Sequence, residues 1–126
     1  MKRKRNGIQQ RLQSFKYAFH GSYTLIKEEP NARIHLLAAV CAIVLGIVLK
    51  ISPIEWIAIG IGIGLVFMLE FINSALERIS DYISPEKNDE IKKIKDLAAG
   101  GVLVAAMVAL FIGIILFVPK IVSLIQ

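Results

Sequence analysis

The chain has 126 residues, of which 56% are hydrophobic, with a mean hydropathy of +0.64 and a formal net charge of +5 at pH 7. A soluble domain of this size exposes much of its surface to water and needs more polar residues, so the composition argues against a soluble enzyme. The length allows one domain. The single cysteine, Cys41, cannot form an internal disulfide, and a cysteine-rich metal site is excluded as well.

Near the N-terminus, apolar residues recur at spacings of three and four. They are Ile8, Leu12, Phe15, Phe19 and Tyr23. Polar and basic residues occupy the remaining faces, so the pattern predicts an amphipathic helix at about residues 8–28 that lies on the membrane surface. A cleaved signal peptide fits poorly, because no uninterrupted apolar core and small-residue cleavage site follow the basic N-terminal cluster.

Three apolar runs follow, each long enough to cross a bilayer. They predict transmembrane helices at about residues 33–50, 53–80 and 93–118. Pro53 is typical of the first turn of a helix, and Pro119 is expected to end the third span. The intervening residues 81–92 are predicted to form a loop.

Lysine and arginine residues concentrate on one side of these spans. They occur before the first span, including Lys2, Arg3, Lys4 and Arg5, and between the second and third spans. By the positive-inside rule, the N-terminus and the 81–92 loop are expected in the cytoplasm and the C-terminus outside. Topology and anionic lipid account for the positive charge, and no nucleic-acid partner is expected because the sequence contains no nucleic-acid-binding module.

The second span ends in a stripe of polar residues. Glu70, Asn73, Glu77 and Asp81 are separated by three, four and four residues, which places them on one face of a helix. Charge at membrane depth costs a few kcal/mol, so a divalent cation or a proton is expected to compensate it. Carboxylate oxygens without a histidine or cysteine cluster favour Mg²⁺. Asp81 could instead be a solvated charge at the helix end, and Asn73 could bridge two helices.

Other polar groups are expected at the same level as this stripe. Glu28 and Glu29 precede the first span, and Lys95 and Asp96 open the third. Mg²⁺ commonly accompanies nucleotide phosphates, and Lys95 could contact a phosphate as a point charge. His35 and Cys41 are interpreted as packing residues.

Two interpretations in which the chain is not an enzyme remain open at this point. A small oligomeric ion-coupled transporter would use Glu70 and Glu77 to bind its ion, and a purely structural membrane protein would need neither. A transport acid is expected near the bilayer midplane, whereas both residues lie at the end of their apolar run. Their position therefore favours chemistry at the membrane interface.

Three motifs resemble those of the prokaryotic integral-membrane lipid kinases, a family that comprises diacylglycerol kinase and undecaprenol kinase. The similarity runs from about Arg11 to Phe117. The motifs are Glu70-x-x-Asn73-Ser74-Ala75-x-Glu77-x-x-x-Asp81, Lys95-Asp96-x-Ala98-Ala99 and Glu29-x-Asn31-x-Arg33.

The resemblance implies an all-α membrane protein that forms a homotrimeric helical bundle, with active sites partly shared between subunits. It implies that Glu70 is the general base that takes a proton from a lipid hydroxyl, and that Asn73 holds Glu70 or the substrate. Glu29 and Glu77 would bind Mg²⁺ and, through it, the nucleotide.

For the nucleotide itself, the resemblance implies ATP as co-substrate. The residues that match nucleotide-contacting positions are Arg11, Tyr17, Glu86, Lys95 and Asp96. The segment 33–35 looks like the Gram-positive branch, which favours undecaprenol as the lipid alcohol, with diacylglycerol as the alternative. The expected location is the cell membrane of a bacterium.

Overall fold

The computed structural model describes residues 6–126, so the basic cluster at residues 2–5 lies outside the described range. The described residues form four helices: α1 (Gly7–Glu28), α2 (Pro30–Val48), α3 (Pro53–Ile83) and α4 (Asp89–Ile125). Helices α2, α3 and α4 are long and apolar enough to cross a membrane. The all-α fold with three candidate spans is therefore confirmed.

The turn between α2 and α3 is a Schellman motif, which satisfies the last carbonyls of α2. The Ile51 N–H donates to the Gly46 carbonyl over 3.2 Å, and the Lys50 N–H donates to the Ile47 carbonyl over 3.3 Å. Lys50 has φ 52°, a left-handed conformation that usually belongs to glycine. The following helix begins with a capping box, in which Ser52 and Glu55 bond each other's backbone N–H.

Helix α4 packs mainly against α3, so this pair of helices makes the most extensive helix–helix contact of the described fold. The buried core consists of Ile51, Ile59, Leu116 and Phe117. A second close approach lies further along α3, where a Cβ added to Gly62 would be 3.5 Å from Ala109. Small residues thus let α3 and α4 approach closely, as is usual for membrane helices.

The helix ends differ from the predicted ones at two places. Helix α3 extends to Ile83 and α4 begins at Asp89, so the non-helical segment is 84–88 rather than 81–92. Asn88 makes the early start of α4 favourable, because its side chain accepts hydrogen bonds from the N–H groups of Glu90 and Ile91.

The helix that contains the third predicted span does not end at Pro119. Helix α4 continues through Pro119 to Ile125. A proline removes its own N–H from the helix but does not prevent later residues from bonding. The Lys120 Nζ also lies 3.2 Å from the Glu55 Oε2, so a salt bridge to α3 holds the turn that follows the proline.

Candidate active site

Three carboxylates, two from α3 and one from the junction between α1 and α2, meet near the C-terminal end of α3. Glu70 and Glu77 lie one above the other on α3, and Glu29 precedes α2. Glu70 is only 3% exposed. Glu29 and Glu77 both repel the Glu70 carboxylate, and Glu29 repels Glu77 as well. We refer to Glu29, Glu70 and Glu77 as the acidic cluster.

Glu29 reaches the cluster because the chain breaks its helix there. The residue before a proline is disfavoured in the helical conformation, and Pro30 follows Glu29 directly. Glu29 accordingly has extended backbone angles of φ −108° and ψ 107°, between the end of α1 and the start of α2. The Ser74 Oγ of α3 donates a hydrogen bond to the Glu29 Oε1 over 3.1 Å, which fixes this carboxylate beside α3.

His35 makes a polar contact in addition to the packing role that the sequence predicts for it. Its Nε2 lies 3.2 Å from the Oε1 of Glu70, within hydrogen-bonding distance. A signal was present in the sequence, because His35 is the polar interruption of the otherwise apolar segment 34–49.

Asn73 lies on α3 between the two glutamates of that helix, and its side-chain oxygen is unsatisfied. Within residues 6–126, the buried Oδ1 of Asn73 has no hydrogen-bond partner. Buried polar atoms in native structures usually have one. The open alternative that this oxygen bridges two helices is therefore not observed, and Oδ1 is free to accept a hydrogen bond or to contact a cation.

Lys95 of α4 stands beside the acidic cluster. Its Nζ forms an ion pair with Asp81, and its charge also acts favourably on Glu77. Asp81 is therefore a paired group rather than a solvated charge alone. Asp96 is exposed and pairs with Lys92 along its own helix.

A further ion pair was not anticipated from the sequence. Arg78 of α3 binds Glu28 at the end of α1. Together with the contacts of Glu29 with Ser74 and of His35 with Glu70, it ties the α1–α2 junction to α3. No single-helix periodicity predicts these contacts, since each joins residues that are far apart in sequence.

Three of the predicted nucleotide-contacting residues are exposed and are not bonded to the acidic cluster in the described part of the chain. Arg11 and Tyr17 are exposed on α1, and Glu86 is exposed in the 84–88 segment. In the described part of the chain, no hydrogen bond or ion pair connects any of them with the acidic cluster. A single chain thus assembles the acidic cluster and Lys95 but not all of the predicted nucleotide contacts.

The donor chemistry of the cluster can be compared with what Mg²⁺ requires. Among residues 6–126, no group of three or more histidine, cysteine, aspartate or glutamate side chains is placed to hold a metal ion. Glu29 and Glu77 offer two carboxylates close enough to repel each other. Mg²⁺ commonly binds through one or two carboxylates, with waters and substrate phosphates completing its shell. The residues therefore fit a partly hydrated Mg²⁺ bound together with a nucleotide.

An apolar groove of about 470 Å³ leads away from the acidic cluster between α2, α3 and α4. Its walls are formed by aliphatic and aromatic side chains such as Leu45, Val66, Phe67 and Phe117. His35 also lines this groove while it contacts Glu70. The groove is thus wide enough and apolar enough to hold part of a lipid chain next to a buried carboxylate.

Three helices of membrane-spanning length, an acidic cluster with a buried Glu70 and an adjoining apolar groove are typical of a membrane protein that acts on a lipid. Comparison with known proteins identifies the class. The sequence pattern of prokaryotic diacylglycerol kinase matches residues 16–117. The chain therefore belongs to the prokaryotic diacylglycerol kinase family, and it is a lipid kinase, a transferase that uses ATP.

Individual relatives agree with this assignment. The chain is 35% identical over 116 residues to the undecaprenol kinase of Bacillus subtilis, covering 92% of this chain and 94% of the relative. It is 36% identical over 114 residues to a diacylglycerol kinase of Synechocystis, covering 90% of this chain and 65% of that protein. A diacylglycerol kinase of Haemophilus influenzae is 31% identical over 115 residues, covering 90% of this chain and 98% of the relative.

Proposed function

We propose that the chain transfers the γ-phosphate of ATP to the hydroxyl of undecaprenol. The observation that carries the proposal is the position of the buried Glu70, whose carboxylate contacts His35, a residue that lines the apolar groove. A lipid alcohol in such a groove would keep its chain among apolar side chains and present its hydroxyl to a carboxylate. The near full-length similarity to an undecaprenol kinase supports the choice of alcohol.

Diacylglycerol is the second candidate substrate. The similarity to the Synechocystis diacylglycerol kinase, at 36% identity, favours it about equally by sequence alone. The walls of the groove do not discriminate, because aliphatic side chains pack equally well against acyl and polyprenyl chains. The choice between the two alcohols is therefore left to a direct comparison of rates.

In the proposed reaction, Glu70 accepts the proton of the lipid hydroxyl as its oxygen attacks the γ-phosphorus. The bond between the γ-phosphorus and the bridging oxygen breaks, and ADP leaves. Phosphoryl transfer depends mainly on alignment of the oxygens and neutralisation of charge. Asn73, one turn from Glu70, can orient the same hydroxyl by donating a hydrogen bond from its Nδ2 to the hydroxyl oxygen, which leaves its unpartnered Oδ1 available to another donor.

Glu29 and Glu77 would hold the Mg²⁺, which when bound neutralises charge on the phosphates. The hydrogen bond from Ser74 keeps Glu29 directed towards α3. Lys95 would attract the phosphates, because it already lies close enough to Glu77 for their charges to interact. Asp96 would contact the nucleotide from the next position of α4.

We further propose that the remaining nucleotide contacts come from a homotrimer. Arg11, Tyr17 and Glu86 are exposed, and within residues 6–126 they share no hydrogen bond or ion pair with the acidic cluster of their own chain. A neighbouring subunit could bring its surface helix or its 84–88 segment over the cluster. This arrangement fits α1 as an amphipathic helix on the cytoplasmic membrane surface, with the N-terminus inside and the C-terminus outside a bacterial cell membrane.

The test is phosphate transfer from labelled ATP in mixed micelles with Mg²⁺, with undecaprenol and diacylglycerol supplied in parallel to the purified protein. The proposal expects the higher kcat/KM with undecaprenol. A higher value with diacylglycerol would establish the second candidate instead. Failure of folded protein to phosphorylate either alcohol would contradict the kinase mechanism, and ion flux into vesicles without ATP consumption would support a transporter.

A further inference from the structure

Glu70 has one polar side chain in contact with its carboxylate within residues 6–126. The contact comes from His35 of α2, whose Nε2 lies 3.2 Å from the Glu70 Oε1. The side chain of Glu70 is 4% exposed and that of His35 is 24% exposed. A buried carboxylate with one ordered partner has its orientation set largely by that partner.

The charges around Glu70 make this partner important. Glu29 and Glu77 both repel the Glu70 carboxylate, whereas His35 attracts it. Without His35, the side chain of Glu70 would be free to rotate away from the other two glutamates. An off-rotamer or displaced carboxylate would lose its alignment with a bound hydroxyl, and proton transfer depends steeply on such alignment.

The position of His35 in the groove gives the contact a second consequence. The same imidazole lines the apolar groove between α2, α3 and α4. A bond from Nε2 to Oε1 leaves the other carboxylate oxygen, Oε2, without a hydrogen bond from the described residues. His35 thus occupies one oxygen of Glu70 and leaves the other available to a substrate bound in the groove that His35 lines.

We propose that His35 is a positioning residue that holds Glu70 in the orientation in which Oε2 accepts the proton of the lipid hydroxyl. The inference rests on the proposed role of Glu70 and adds a residue that acts through it. His35 itself transfers no proton to or from the substrate in this account. Its contribution is to kcat, because it neither holds the nucleotide nor contacts Glu29 or Glu77.

The experiment compares His35→Leu, which removes the donor, with His35→Gln, whose amide can still donate a hydrogen bond. We expect His35→Leu to lower kcat roughly 10- to 100-fold, while KM for ATP stays within about twofold. His35→Gln is expected to restore most of the lost kcat. His20→Leu is the matched control, because it makes the same chemical change at an exposed histidine of α1 and is expected to leave kcat unchanged.

A double-mutant cycle with Glu70→Asp separates positioning from a general effect on packing. Aspartate shortens the side chain by one methylene and withdraws the carboxylate from His35. We therefore expect His35→Leu to lower kcat by less than about threefold in the Glu70→Asp background, so that the effects of the two substitutions on kcat are not additive. Thermal unfolding of every variant in the same micelles confirms that folded proteins are compared.

Three results would overturn the inference: a kcat of His35→Leu within about twofold of wild type, equal losses in the leucine and glutamine variants, or full additivity with Glu70→Asp. These failures differ from a failure of the proposed function. An active Glu70→Gln variant would show that Glu70 is not the general base. An inactive Glu70→Gln together with a fully active His35→Leu would rule out the role of His35 alone.

Discussion

The two ends of α3 treat their charged residues in opposite ways. At the end near the α2–α3 turn, Glu55 caps its own helix and pairs with Lys120 of α4. At the other end, the acidic cluster brings three carboxylates together, and the Oδ1 of Asn73 has no partner in the part of the chain that the structure describes. The first end pairs its charges, while the second keeps like charges together and leaves the Asn73 Oδ1 open to a bound group.

Residues that stabilise the fold and residues proposed to carry out the reaction thus lie at opposite ends of α3. Like charges that face each other in a buried site destabilise a fold unless a cation or a proton compensates them. Their presence at one end of α3 is therefore explained by function, whereas the salt bridge and capping box at the other end are explained by folding. Variants at the catalytic end should therefore change turnover, and variants at the other end should change stability.

The largest effect is expected for Glu70→Gln. The amide has nearly the shape of the carboxylate but cannot accept the proton of the lipid hydroxyl, so turnover should fall by roughly 10²- to 10⁴-fold. Folding should be retained, because the substitution also relieves repulsion from Glu29 and Glu77. Steady-state phosphate transfer to undecaprenol measures the loss, and a turnover near that of wild type would rule out Glu70 as the base.

A smaller effect is expected when Glu29 or Glu77 is changed to glutamine. Each variant keeps one of the two carboxylates proposed to bind Mg²⁺, so the Mg²⁺ concentration for half-maximal rate should rise about 10-fold or more. Magnesium titrations of the initial rate check this. Glu90→Gln is the control, because Glu90 is exposed and, within residues 6–126, forms its ion pair with Lys93; an equal shift in this variant would indicate a general effect of surface charge.

Lys95→Met is expected to raise the KM for ATP about 10-fold or more, because it removes a positive charge next to Glu77. Lys93→Met removes a lysine of the same helix that pairs with Glu90 instead. Comparison of the two KM values for ATP therefore tests position rather than net charge. Similar KM values in the two variants would contradict a direct contact of Lys95 with the phosphates.

Around the α2–α3 turn, substitutions should change stability without changing turnover. A Cβ at Gly46 would lie 2.8 Å from Cη2 of the rigid Trp56 ring. Gly46→Ala should therefore destabilise the folded chain by about 1 to 3 kcal/mol through overpacking. The expected outcome is a lower Tm in micelles with an unchanged kcat per folded molecule. An unaltered Tm would mean that α2 and α3 can move apart at Gly46 and Trp56 with little loss of free energy.

The smallest expected effect is a gain in stability at Lys50. Lys50 has φ 52° at the position that follows the end of α2, where glycine avoids the strain of the left-handed conformation. Lys50→Gly should therefore stabilise the chain by about 1 kcal/mol and raise the Tm slightly. Lys50→Ala keeps the strained backbone and serves as the control, so an equal rise in both variants would exclude the backbone explanation.

The sequence was most informative where the relevant contacts lie within one helix. The stripe from Glu70 to Asp81 could be predicted because side chains three and four residues apart share a face. The three spans could be predicted from the lengths of the apolar runs. Both inferences depend on regular helical geometry and require no knowledge of how the helices pack.

The contacts that sequence reasoning missed depend on the register between helices. His35 and Glu70 are 35 residues apart, and their contact exists because α2 and α3 pack at one relative height. The meeting of Glu29 with Ser74 likewise depends on the break before Pro30 and on the docking of α3 beside it. The end of α4 was missed for the same reason, since Lys120 bonds a residue of α3 rather than a neighbour in sequence.

The account is tested most directly by measuring turnover and Tm on the same preparations of Glu70→Gln and Glu55→Gln. These variants remove one negative charge from each end of α3. The account predicts that Glu70→Gln loses phosphate transfer and keeps its Tm, whereas Glu55→Gln keeps phosphate transfer and lowers its Tm. Loss of transfer in Glu55→Gln at full folding, or wild-type transfer in Glu70→Gln, would contradict the division of α3 into a stabilising end and a catalytic end.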